Sequence, residues 1–281
     1  LKIFEIFESK WSTMPSAKKV ETIEIAPKVK ETTSRLKWQM QKIDNPIMSQ
    51  RRLGLLENAY EGETCYILNC GPSLNEYSSE FLEEFLKDKL TFAVKQAYHK
   101  APNIVDFHFF NVNNFQVYNY EKSKPIVVTN AAEDELAMIH HIWSNEQKYD
   151  IFAFMPDDRD FSKSICKSLE FEKHLLENKL ERPWGPGMMT EIVIYMAVHL
   201  GVKNIYTIGW DLEKPGETKS HHYYGDRRLI RPADPMKQEE IKLNIETTKH
   251  LYKWLQQKEI GLFVANDNSY VHESVPRSLL K

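Results

Sequence analysis

The sequence is poor in the residues that make the commonest sites easy to see. Only three cysteines, Cys65, Cys70 and Cys166, stand in 281 residues. Their spacing fits neither a disulfide framework nor a Cys-x-x-Cys metal or redox site, so a reducing, cytoplasmic compartment is expected. Charge of one sign is lacking as well: 37 basic and 40 acidic residues leave a net charge of −3. That balance gives no general reason to bind a polyanion, and no nucleic-acid partner is expected. No apolar run reaches the roughly 18 residues that cross a bilayer. The start, Leu1-Lys2-Ile3-Phe4-Glu5, lacks a signal-peptide pattern. Peripheral membrane association and a homo-oligomer are left open.

Glycine is scarce too, at ten residues, and neither a Walker sequence nor the three-glycine dinucleotide fingerprint occurs. No Asp-x-Asp triplet follows a strand to hold a divalent cation on a diphosphate. Asp157-Asp158-Arg159-Asp160 carries alternating acids but follows Pro156, as solvated acidic turns do. No metal site is therefore expected.

What is present is enough apolar residue, 42% of the chain, for one main globular unit. Residues 1–57 are charged and only loosely periodic, with Pro15 and Pro27 as interruptions, and read as a helical or extended arm. Residues 58–281 read as the domain. Short apolar runs predict strands at Thr64–Asn69, Leu90–Val94, Val105–Phe110, Ile126–Thr129, Ile151–Phe154, Asn204–Asp211 and Gly261–Ala265. Helical spacing at Phe81, Leu82, Phe85 and Leu86, over Met188–His199, and at Ile241, Ile245, Leu251 and Leu255 separates several of them. The alternation predicts an α/β fold, a mainly parallel sheet flanked by helices in a Rossmann-like, nucleotide-binding arrangement.

Three segments carry candidate chemistry. Asn69-Cys70-Gly71-Pro72-Ser73-Leu74 ends the first strand where ligands of open α/β sheets bind. Gly71 lets a phosphate approach the backbone, Asn69 and Ser73 can donate hydrogen bonds, and Ser73 is placed to cap the next helix. Trp184-Gly185-Pro186-Gly187-Met188-Met189-Thr190 is a second glycine turn before an apolar helix. Ser220-His221-His222-Tyr223-Tyr224-Gly225-Asp226 gathers imidazole, phenol and carboxylate in one loop, as proton transfer requires. An ordinary turn, or a solvated loop, accounts for each segment taken singly.

Taken in order, these pieces resemble the bacterial lipooligosaccharide sialyltransferase family and its wider group of motility accessory factors and 6-hydroxymethylpterin diphosphokinase-like proteins. The resemblance covers about residues 58–275. It rests on Gly71-Pro72-Ser73-Leu74 after Cys65-Tyr66-Ile67-Leu68-Asn69, on the turn Gly185–Gly187, on Leu200-Gly201 and on Gly209-Trp210-Asp211. It implies a type A-like glycosyltransferase fold that uses a CMP-linked sugar as substrate, without a required metal or other cofactor. It implies a glycan acceptor, as in surface polysaccharide synthesis.

By the same resemblance, Gln96 and Asn111 would contact the nucleotide, with Asn69, Gly71, Pro72, Ser73, Gly185, Gly187, Met188, Thr190 and Asp211 around it. Tyr223 and Tyr224 would lie near the leaving phosphate. The family's base is a histidine just after a His-Tyr-x-Gly segment, whereas here Asp226 follows His222-Tyr223-Tyr224-Gly225. The base is then His222, His221 or Asp226; His222 is favoured because an ordinary carboxylate, with a pKa near 4, is the weaker base at pH 7. The group's diphosphokinase branch gives the alternative, Mg²⁺-dependent phosphoryl transfer through Asp211 and Asp226. A nucleotide-binding module without turnover is the third reading.

Overall fold

The structure, a computed structural model, describes residues 29–41, 49–112, 118–132, 149–155, 161–177, 180–215, 222–225 and 238–280. Strands form at β1 (Thr64–Leu68), β2 (Leu90–Val94), β3 (Phe107–Asn111), β4 (Ile126–Ala132), β5 (Ile151–Met155), β6 (Asn204–Ile208) and β7 (Gly261–Val264). They make one sheet in the order β5-β4-β3-β2-β1-β6-β7, every neighbouring pair parallel. The fold is thus α/β and Rossmann-like. Every residue of β2 and β3 is buried, the continuous apolar pattern of strands covered on both faces.

The chain runs outward from β1 to β5 and then returns to lay β6 on the other side of β1. The strand order reverses between β1 and β6, and such a sheet opens a crevice beyond the carboxyl ends of the two strands.

One face of the sheet packs the helices Val29–Gln41 and Gln238–Gln257 and the helical run Met189–His199 through Leu36, Met40, Ile192, Met196, Leu251 and Leu255. The other face packs the helix Ser79–Leu86 and the turn Lys95–Lys100 through Leu82, Leu86, Ala97 and Tyr98. Val29–Gln41 also donates two lysines to the sheet, Lys30 to Asp106 at 2.6 Å and Lys37 to Asp150.

Two local expectations are corrected. Ser73 does not cap the helix that follows it; it lies inside a short 3₁₀ turn, Pro72–Glu76, and Ser78 caps Ser79–Leu86 by accepting from the Phe81 N–H at 3.1 Å. The last strand of the β1–β6 pair ends at Ile208 rather than Asp211, because Gly209 turns the backbone to φ +74°. Gly201, at φ +76°, terminates the helical run as its position implied. No helix among the described residues is long and apolar enough to cross a membrane.

Candidate functional site

The ends of β1 and β6 are joined backbone to backbone. Asn69 N–H donates to the Ile208 carbonyl at 2.7 Å, and Gly71 N–H to the Gly209 carbonyl at 2.8 Å. A methyl group on Gly71 would sit 2.5 Å from both Gly209 O and an Asp211 carboxylate oxygen, so only glycine fits this crossing.

Asp211 fastens the two turns. Its carboxylate accepts from Ser73 N–H at 2.7 Å, from the Ser73 hydroxyl at 2.5 Å and from the Asn266 amide at 2.8 Å. The Ser73 hydroxyl is therefore committed within the protein rather than offered to a ligand.

Beside this clamp lies a cleft of about 200 Å³ lined by Asn69, Gly71, Lys95, Gly187, Met188, Thr190, Asp211, His222 and Asn244, among others. The two glycine turns thus face one cleft. A neighbouring cavity of about 340 Å³ holds Pro72, Ser73 and Lys214 and shares Asp211, Leu212 and Glu213 with the first. The Gly187 turn is built by its own helix: the Gly187 carbonyl accepts from Thr190 N–H and Thr190 Oγ1, both at 3.1 Å. That helix begins with a π turn, Met189–Val193, a distortion often found at functional sites. Gly185 is not among the lining residues; it packs behind Thr190, whose Oγ1 a methyl group there would meet at 2.6 Å.

The segment His222–Gly225 is strapped across the ends of β1 and β2. Tyr223 N–H donates to the Cys70 carbonyl at 2.9 Å, and the Tyr223 hydroxyl donates to the Gln96 carbonyl at 2.6 Å. Tyr224 stacks on His222, ring centres 5.0 Å apart, and its hydroxyl lies 3.4 Å from Gln96 Oε1. Burial keeps the Tyr224 phenol protonated by pushing its pKa up. Burial also lifts the Cys70 thiol to about 11, which leaves it protonated and a poor nucleophile.

Among the residues expected to bind the nucleotide, Gln96 and Asn111 stand outside the cleft lining. Gln96 is buried and holds the two tyrosines. Asn111 is buried at the end of β3, its amide 3.5 Å from the Glu191 carboxylate, and its Oδ1 has no partner among the described residues. Asn130, its neighbour in register on β4, donates to the same carboxylate at 3.1 Å. The expectation of one cleft around Gly71, Ser73, Asn111, Gly187 and Asp211 therefore holds for Gly71, Gly187 and Asp211, while Ser73 lines the neighbouring cavity and Asn111 lines neither. His221, Asp226, and the acidic turn Asp157–Asp160 fall outside the described residues.

Lys95, Glu191 and Asn244 were not singled out by the sequence. Asn244 had a signal: it falls three residues after Ile241, on the apolar face of Gln238–Gln257, where a polar side chain needs a reason. Lys95 had none, since its distinguishing property is a backbone angle, φ +50°.

No family model matches the chain, and no curated protein matches it. Among solved structures it is similar to the monofunctional alpha-2,3-sialyltransferase Cst-I of Campylobacter jejuni, at 16% identity and a TM-score of 0.39, over 74% of this chain and 77% of that one. It is similar to the sialyltransferase CstII of the same organism, solved with the substrate analogue cytidine-5'-monophosphate, at 18% identity and a TM-score of 0.39, over 74% and 82%. The MAf glycosyltransferase of Magnetospirillum magneticum AMB-1 aligns at 9% identity and a TM-score of 0.39, over 77% of this chain and 34% of its own. Likenesses this distant decide nothing about chemistry, which rests on the residues.

Proposed function

We propose that the chain is a glycosyltransferase that moves a sugar from a nucleotide donor to a hydroxyl of a glycan acceptor, in the cytoplasm and in surface polysaccharide synthesis. The observation that carries this reading is the convergence of both glycine turns, Lys95 and His222 on one cleft at the point where the strand order reverses. The nucleotide lies against the turns, its phosphate on backbone N–H groups. His222 takes the proton from the acceptor hydroxyl, whose oxygen attacks the anomeric carbon. The bond from that carbon to the phosphate oxygen breaks on the opposite face, and the phosphate leaves with the electron pair, so the configuration inverts. A CMP-linked donor and metal independence are proposed from the motif resemblance. The Mg²⁺-dependent alternative is disfavoured by Asp211, whose carboxylate oxygens are engaged by three protein donors.

Thermal shifts with CMP, UDP, GDP and ATP, each with and without Mg²⁺, test the site: CMP should give the largest rise, unchanged by EDTA. A strict Mg²⁺ requirement or a preference for ATP would transfer the chain to phosphoryl transfer. On an active donor and acceptor pair, His222→Ala should lower turnover about 10²- to 10⁴-fold with little change in nucleotide affinity. Full activity in that variant, with loss on Asp226→Asn, would give the base role to the carboxylate. Intact nucleotide binding with no turnover on any donor would leave a binding module.

A further inference from the structure

Among the described residues, Lys95 is the one lysine or arginine in the lining of the cleft. Its Nζ has no ion-pair or hydrogen-bond partner among the described residues, although Asp211 and Glu213 line the same cleft. It also stands in a left-handed backbone conformation, φ +50°, directly after β2. Glycine, asparagine and aspartate take that conformation at least cost, and lysine is not among them. Strain of this kind persists where the surroundings over-determine it, and it clusters at ligand sites.

The surroundings here are identifiable. His108 Nε2–H donates to the Lys95 carbonyl at 2.8 Å, and His108 Nδ1 accepts from the Tyr120 hydroxyl at 2.6 Å. The imidazole is fully buried, and burial depresses its pKa to about 3. It is a fixed neutral donor, adding no second positive charge beside the ammonium.

We infer that Lys95 is the cation that receives the phosphate of the bound nucleotide, presented to the cleft by the His108–Tyr120 pair, and that it supplies the charge a divalent metal would otherwise supply to the leaving group. One monovalent cation suits a single phosphate, a nucleoside monophosphate, better than a diphosphate. This inference rests on the proposed nucleotide site and adds to it the group that recognises the phosphate. His108 and Tyr120 are positioning residues, acting through Lys95.

Calorimetric titration of CMP and of cytidine into the parent, Lys95→Gln and Lys95→Gly at low salt separates the two ideas. The parent should prefer CMP, and both variants should lose about 10- to 100-fold in CMP affinity, as for one charge-assisted hydrogen bond, with cytidine affinity unchanged. Lys95→Gly should melt no lower than the parent, since glycine relieves the strained angle. That combination of lost phosphate recognition and kept stability is one that a purely structural lysine would not give. A parent that binds CMP and cytidine equally, or variants that keep full CMP affinity, overturn the assignment of Lys95 and leave the nucleotide site standing. A parent that binds neither overturns both.

Discussion

Aspartates stand at both edges of the sheet, and the two edges use them differently. At the amino edge, Asp106 and Asp150 precede β3 and β5. Each accepts a backbone N–H from a neighbouring strand, Thr91 at 2.9 Å and Val127 at 2.7 Å, and each receives one lysine of the helix Val29–Gln41. These carboxylates fasten a helix to the sheet, and neither lines the two cavities beside Asp211. At the carboxyl edge, Asp211 ties two loops together while its own flank forms the wall between two cavities. A paired buried carboxylate is therefore not a site marker by itself; it becomes one where the groups it fastens are turns rather than regular elements.

Separate substitutions break this contrast if it is wrong. Asp106→Ala removes the acceptor of Thr91 N–H, of the Thr33 hydroxyl and of the partly exposed Lys30, and should lower stability by about 3 kcal/mol, with CMP affinity unchanged in whatever fraction stays folded. A matching loss of affinity would show that the amino edge also shapes the cleft. Asp211→Ala removes the acceptor of three hydrogen bonds and should lower stability by roughly 2–3 kcal/mol in denaturant titrations, now with loss of CMP binding. Gly71→Ala should reproduce the second pattern at about 1–3 kcal/mol, because the added carbon overlaps Gly209 O and the Asp211 carboxylate.

Gly187→Ala sharpens the comparison: its new methyl group meets nothing within 4 Å, so stability should move by under about 0.5 kcal/mol. A fall in CMP affinity there reports the ligand's approach alone, and none would mean that the nucleotide stays clear of this turn. A separate effect concerns pH. His108 has a folded pKa of about 3 against an ordinary value of 6.5. Between those values the unfolded chain holds a proton that the folded chain refuses, so stability declines as pH falls through that window, by at most about 1.4 kcal/mol per pH unit. The stability gap between the parent and His108→Gln should consequently narrow from about pH 7 to pH 5. A gap that stays constant would mean that the His108 imidazole titrates in the fold as it does in the unfolded chain, and a gap that widens would mean that it is protonated there.

The seven strands were legible because parallel strands covered on both faces are unbroken apolar runs, as Leu90–Val94 shows residue for residue. The two glycine turns were legible by their place after β1 and before an apolar helix. The work of individual side chains was not. Nothing local separates Ser73 from Ser78 as a cap; the competing partner of Ser73 is Asp211, 138 residues away. The cluster His222–Tyr224 could be read as polar, but not that Tyr223 turns its hydroxyl toward the Gln96 carbonyl. The Lys95 carbonyl is held by His108 from the adjoining strand, which no window around Lys95 contains.

The return of the chain to β1 bears on how the protein is made. β1 pairs with β2 soon after both leave the ribosome, but its other edge waits for β6, whose Asn204 lies opposite Thr64. Until then β1 presents an open row of backbone donors and acceptors, flanked by buried-type side chains such as Ile67 and Leu68. At ordinary rates of synthesis that interval lasts several seconds, and a nascent chain so exposed is a natural client for a chaperone. The crevice that holds the candidate site in the finished protein thus forms, during synthesis, only when that open edge is closed.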